Sequence, residues 1–81
     1  MAAAELGPED VVLEIGAGIG NLTERLAKQA RKVIAVELDP VLVRVLHDRF
    51  DKSENIEIIA GDTLKIKLPE FDKVVSNLPY S

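Results

Sequence analysis

Val11-Val12-Leu13-Glu14-Ile15-Gly16-Ala17-Gly18-Ile19-Gly20-Asn21 is the stretch that decides the fold. Val11 to Ile15 is short and nearly continuously apolar, which suits a strand buried on both faces of a sheet. Gly16, Gly18 and Gly20 follow at alternate positions, so the backbone can turn sharply and approach a ligand without Cβ atoms intruding. From Asn21 to about Ala30, Leu22, Leu26 and Ala30 recur at four-residue spacing, as one face of a helix requires. Asn21 followed by Glu24 predicts a capping box with Asn in place of Ser or Thr.

The same alternation continues outward. Val33-Ile34-Ala35-Val36-Glu37 is a second buried-strand run. Asp39-Pro40 reads as N-cap and first helical residue of a helix, with Val41/Val45 and Leu42/Leu46/Phe50 on one side. Ile56 to Ala60 reads as a third strand and Lys73-Val74-Val75-Ser76 as a fourth. The segment from Thr63 to Phe71, interrupted by Pro69, has no clear period. Strands separated by helical patterns make βαβ units, and the fold class expected is α/β: a Rossmann-like parallel sheet in one domain over residues 1–81.

Composition narrows the function classes. Leu, Ile, Val and Phe make up 28 of 81 residues, well above the roughly 20% typical of disordered chains. The longest uninterrupted apolar runs are four residues, far short of the about 20 a membrane-spanning helix needs. The chain has no cysteine, which removes disulfides, thiolate metal sites and thiol catalysis and fits a reducing, cytoplasmic setting. Ten basic against fourteen acidic residues give a net charge of −4, unlike a self-sufficient nucleic-acid binder. The lone His47 has no second histidine with which to build a triad or a metal cluster, and Lys28, Arg31 and Lys32 read as a solvated helix end.

In an open parallel sheet, ligands bind outside the carboxyl ends of the strands. The chemistry-bearing residues gather there, at four separate strand ends: Glu14 with the glycine run, Glu37, Gly61-Asp62, and Asn77-Leu78-Pro79-Tyr80. The glycine turn and the helix N-terminus after it would suit a nucleotide phosphate, though a tight turn with no ligand has the same signature. Glu37, 21 residues beyond Gly16, can accept both hydroxyls of a ribose. Asp62 is placed to accept from an adenine amino group, although a Gly-Asp pair that only forms a turn reads the same way. At the last strand end, Asn77 offers an amide oxygen, Pro79 aims the Leu78 carbonyl, and Tyr80 offers a face on which a base can stack. Two acceptors on an exocyclic amine would favour a pyramidal nitrogen with a localised lone pair, so no strong base is needed.

Taken together, Val12 to Thr23, Val36-Glu37-Leu38-Asp39, Gly61-Asp62 and Asn77-Leu78-Pro79-Tyr80 resemble the motifs of the ribosomal RNA adenine dimethyltransferases, a family of class I S-adenosylmethionine-dependent methyltransferases. The glycine motif by itself indicates only the superfamily, whereas Asn-Leu-Pro-Tyr is far more specific. Erythromycin-resistance RNA methyltransferases are close relatives that more often carry Ile where Leu78 stands. The resemblance implies methyl transfer to the N6 amino group of adenosines in small-subunit ribosomal RNA. It implies S-adenosylmethionine as cofactor, with Glu14, Gly16, Ala17, Gly18, Gly20, Glu37, Leu38, Asp62, Thr63 and Asn77 around it. Asn77, Leu78, Pro79 and Tyr80 would hold the target adenine.

The resemblance also implies the sheet order 3-2-1-4. Family members begin with a basic segment that closes over the cofactor, where this chain has Met1-Ala2-Ala3-Ala4. They also continue into further strands and a helical RNA-binding domain. The chain is therefore expected to be the cofactor-binding half, inactive on RNA alone, with strand four a bare edge. It is expected to pair as a homodimer through strand four or its neighbouring helix surface; the alternative is a monomer whose tail from Phe71 onwards folds back or stays disordered. A nicotinamide-dinucleotide half of an oxidoreductase explains the glycines and Glu37 but not Asn77 to Tyr80. A non-catalytic Rossmann-like folding module is the remaining alternative.

Overall fold

The computed structural model describes residues 6–62 and 67–76. Its elements are β1 (Val11–Ile15), α1 (Asn21–Gln29), β2 (Lys32–Glu37), α2 (Pro40–Arg49), β3 (Ile56–Ala60) and β4 (Lys73–Ser76). All strand pairs are parallel and the order is β3-β2-β1-β4, as expected. The register sets Val12 beside Val33 and Glu14 beside Ala35, with Val33 beside Ile56 and Ala35 beside Ile58. These residues share one face, because side chains alternate along a strand.

Both helices cover that face. Leu26 of α1 and Ala30, which follows it, pack on Val12 and Val33, while Leu46 of α2 and Phe50, which follows it, pack on Ala17 and Ala35. Leu13, Ile34 and Val36 point the other way and pack with Ile59 and Leu68, the latter from the segment between β3 and β4. β1 and β2 are the inner strands and are buried nearly throughout, as their apolar runs require. The edge strand β3 is only half-buried, and β4 alternates half-buried and exposed.

Three local expectations are corrected. The N-cap of α1 is Gly20, without a side-chain cap, so Asn21 and Glu24 form no capping box. Asn21 lies inside the helix, and its amide oxygen accepts instead from Arg49. In α2, Val43, Leu46 and Phe50 turn inward while Val41 and Val45 face solvent. Two apolar stripes lie side by side on this helix, and the residues that face Ala17 and Ala35 decide which one is buried. Lys32 belongs to β2 rather than to a helix end and pairs with Glu57 of the adjacent strand at 2.7 Å. The start of α2 is as expected: the Asp39 carboxylate accepts from Val41 N at 2.8 Å, with Pro40 at the first helical position.

Candidate functional site

The carboxyl ends of β1, β2 and β3 meet at the glycine turn. Gly16 N and Ala17 N donate to the Val36 carbonyl at 2.9 and 3.3 Å, which folds the turn back over the end of β2. Gly20 N then closes the turn on the Ala17 carbonyl at 3.0 Å. The site therefore rests on backbone bonds to an inner strand, not on a free loop.

Glu37 occupies the centre. Its Oε1 accepts from Gly18 N at 2.7 Å and its Oε2 from Asp39 N at 3.0 Å. Gly18 adopts φ 62, and a Cβ there would meet nothing within 4 Å, so the chain above the turn is open. A carboxylate offers about four acceptor positions, so one on each Glu37 oxygen remains for a diol. Gly61 N donates to the Glu37 carbonyl at 3.0 Å, which brings the β3 end, and with it the half-buried Asp62, alongside. Leu38 is 68% exposed at the rim.

Glu14 lies beneath the turn with no exposed surface. Its Oε1 accepts from the Thr23 hydroxyl of α1, itself fully buried. Its Oε2 is buried without a partner among the described residues. Burial pushes the Glu14 carboxyl up to about 7; the Thr23 bond opposes that rise and the neighbouring Glu37 charge adds to it. A buried, unpartnered carboxylate oxygen is costly unless some cation or donor meets it.

Ala17, expected beside a cofactor, turns its methyl into the core with Ala35, Leu46 and Phe50. Thr63 and the whole of Asn77, Leu78, Pro79 and Tyr80 lie outside the described residues. The structure thus brings together Glu14, Gly16, Gly18, Gly20, Glu37 and the Asp62 strand end. Thr23 and Arg49 were not singled out by the sequence. The signal for Thr23 was available, since it falls three residues before Leu26 on the inward face of α1. No local signal marks Arg49. No group of three or more His, Cys, Asp or Glu among the described residues is arranged to hold a metal ion. Nor is any described helix long and apolar enough to cross a membrane.

A parallel 3-2-1-4 sheet with a glycine turn bonded to an acidic residue at the end of β2 defines a Rossmann-like layer of the class I methyltransferase type. The chain belongs to the ribosomal RNA adenine dimethylase family, whose sequence model matches residues 1–81. It is 83% identical over 81 residues to a probable ribosomal RNA small subunit methyltransferase A of Methanosarcina barkeri, covering all of this chain and 28% of that relative. Among solved structures, it superposes on a dimethyladenosine transferase from Plasmodium falciparum with a TM-score of 0.86 and 39% identity, over 96% of this chain and 29% of that one. The 23S rRNA methyltransferase ErmE gives a TM-score of 0.82 and 40% identity, over 95% of this chain and 32% of that one. The chain thus spans less than a third of the length of these relatives.

Proposed function

We propose that this chain is the S-adenosylmethionine-binding part of an enzyme that methylates the N6 amino group of adenosines in small-subunit ribosomal RNA. The observation that carries this reading is Glu37, buried at the end of β2 with its two oxygens bonded to Gly18 N and Asp39 N; a carboxylate with one bond on each oxygen keeps acceptor capacity for a diol. The cofactor contributes a methyl group on a sulfonium, which makes that methyl electrophilic. Glu37 would hold the ribose hydroxyls and Asp62 the adenine amine. The unpartnered Glu14 oxygen suits the cofactor's ammonium, whose charge would favour the ionised carboxylate. Gly16, Gly18 and Gly20 would line the methionine and ribose part.

The adenine-holding role of Asn77, Leu78, Pro79 and Tyr80 rests on their sequence and on the family. Asn77 and the Leu78 carbonyl would accept from the target amine, and Tyr80 would stack on the base. The 83% identity to a small-subunit methyltransferase favours that substrate over large-subunit RNA, although ErmE shares the fold. We further propose that the 81-residue chain is inactive on RNA alone, self-associates, and works in the cytoplasm. Radiolabelled methyl transfer to unmethylated small subunits that is lost in Asn77→Ala would overturn the claim of inactivity.

Calorimetric titration tests the cofactor site. The chain is expected to bind S-adenosylhomocysteine in preference to NAD. Glu37→Ala removes two charge-assisted bonds to ribose and should weaken binding by at most about 1.5–3 kcal/mol for each bond, or about 10- to 150-fold per bond. Equal affinity in Glu37→Ala and the parent chain would refute the ribose assignment. A preference for NAD would return the chain to the oxidoreductase reading.

A further inference from the structure

The glycine turn is held from a second direction, by the far end of α2. Arg49 Nη1 donates to the Ile19 carbonyl at 2.8 Å and to Asn21 Oδ1 at 2.9 Å. Its Nη2 lies 3.5 Å from Glu24 Oε2 on the next turn of α1. The guanidinium sits 5.4 Å from the centre of the Phe50 ring. That ring, with Leu46, fills the space where a Gly20 Cβ would fall. Three consecutive residues, Ile19, Gly20 and Asn21, are therefore engaged by Arg49 and by the side chains next to it.

We infer that Arg49 is a positioning residue for the cofactor site: it clamps the second half of the glycine turn so that Gly18 N is presented to Glu37. Two features carry this. The turn has one bond to Glu37 on its upstream side, from Gly18, and its downstream side is fixed by Arg49 only one residue later. A guanidinium, unlike an ammonium, presents several N–H donors in a rigid plane, which suits simultaneous bonds to a carbonyl, an amide oxygen and a carboxylate. Arg49 and its Ile19 bond are exposed, so its worth to global stability is small, as for other solvated polar contacts. Its effect should instead be local, on how well the turn is ordered before a ligand arrives. The inference rests on the cofactor reading for its consequence but not for its geometry.

The test uses the 81-residue chain with Arg49→Met and Arg49→Lys, read by amide exchange and by S-adenosylhomocysteine titration well below the melting temperature. In Arg49→Met, exchange at Gly18 and Gly20 should quicken several-fold. Exchange at Val43 and Gly61, which donate to Asp39 and Glu37 carbonyls, should not change. The ligand Kd should rise about three- to tenfold, and Arg49→Lys should recover only part of each effect. Adding Asn21→Ala to Arg49→Met should cost little more affinity than Arg49→Met alone, because both remove the same contact. Unchanged exchange at Gly18 and Gly20, or equal quickening at all four amides, would overturn the clamp. So would full recovery by Arg49→Lys, which would reduce the contact to simple charge. If the parent chain itself binds no S-adenosylhomocysteine, the cofactor reading fails, and the exchange pattern decides the clamp alone.

Discussion

Glu14 is the residue at which burial and charge conflict most. It is enclosed between the sheet and α1, bonded to Thr23, with one oxygen unpartnered among the described residues. Its carboxyl is raised from an ordinary 4.5 to about 7, with burial the main cause. A native state that holds this proton more tightly than the unfolded chain loses stability as pH rises. The contribution is complete below about pH 4.5, declines through about pH 7, and is gone above it. At about 1.4 kcal/mol per unit, the loss is about 3 kcal/mol. Urea unfolding at pH 5 and pH 8 should show the parent chain weaker at pH 8, and Glu14→Gln should flatten that difference. Parallel profiles for the two proteins would mean that Glu14 titrates normally. Bound S-adenosylhomocysteine should also shrink the difference if its ammonium meets the free oxygen.

At the scale of elements, the glycine that caps α1 meets the end of α2. Gly20 caps α1 with φ 94, and a Cβ there would lie 2.5 Å from Phe50 Cε2 and 3.0 Å from Leu46 Cδ2. Gly20→Ala therefore combines left-handed backbone strain with overpacking and should cost about 2–4 kcal/mol in thermal or urea unfolding. Gly18→Ala has the strain but open space above it and should cost about 1–2 kcal/mol. Phe50→Leu in the Gly20→Ala background should return part of the loss, whereas equal costs at the two glycines would refute the close contact. Elements set by neighbouring residues were legible beforehand. Asp39-Pro40 announces a helix start because a cap and a fixed φ are local chemistry, and the apolar runs of β1 and β2 announce inner strands. The buried stripe of α2 was not legible, since Val41/Val45 and Leu46/Phe50 lie on adjacent stripes and only the sheet chooses between them. Glu37 and the glycines could be read as a site because their spacing reflects the strand ends. Arg49 could not be, because it lies 28 residues from Asn21 and meets it only after β2 and α2 have folded back.

For the whole molecule, the sheet's two edges differ in protection. β3 carries Glu57, paired with Lys32, and α2 packs against it. Among the described strands, β4 is paired with β1 alone. Val75 packs toward α1, but Val74 is 53% exposed and Phe71, just before the strand, is 42% exposed. Lys73 is the only charge within β4, and it reaches to Asp10 at 3.0 Å, where it neutralises a carboxylate at the entrance to β1. An exposed apolar edge with so little charge is a template for pairing with another chain. The simplest closed arrangement is a two-fold dimer in which β4 meets β4 of a second copy, since such an interface uses the same edge on both copies and leaves only the better-protected β3 edges outermost. Sedimentation at tens of micromolar should therefore show a species of twice 8.9 kDa that dissociates on dilution. Val74→Lys places a charge on the exposed face of that strand and should return the chain to monomer without lowering its melting temperature, because Val74 contributes little to the core. A single 8.9 kDa species across the concentration range, or a dimer indifferent to Val74→Lys, would place any self-association elsewhere on the molecule.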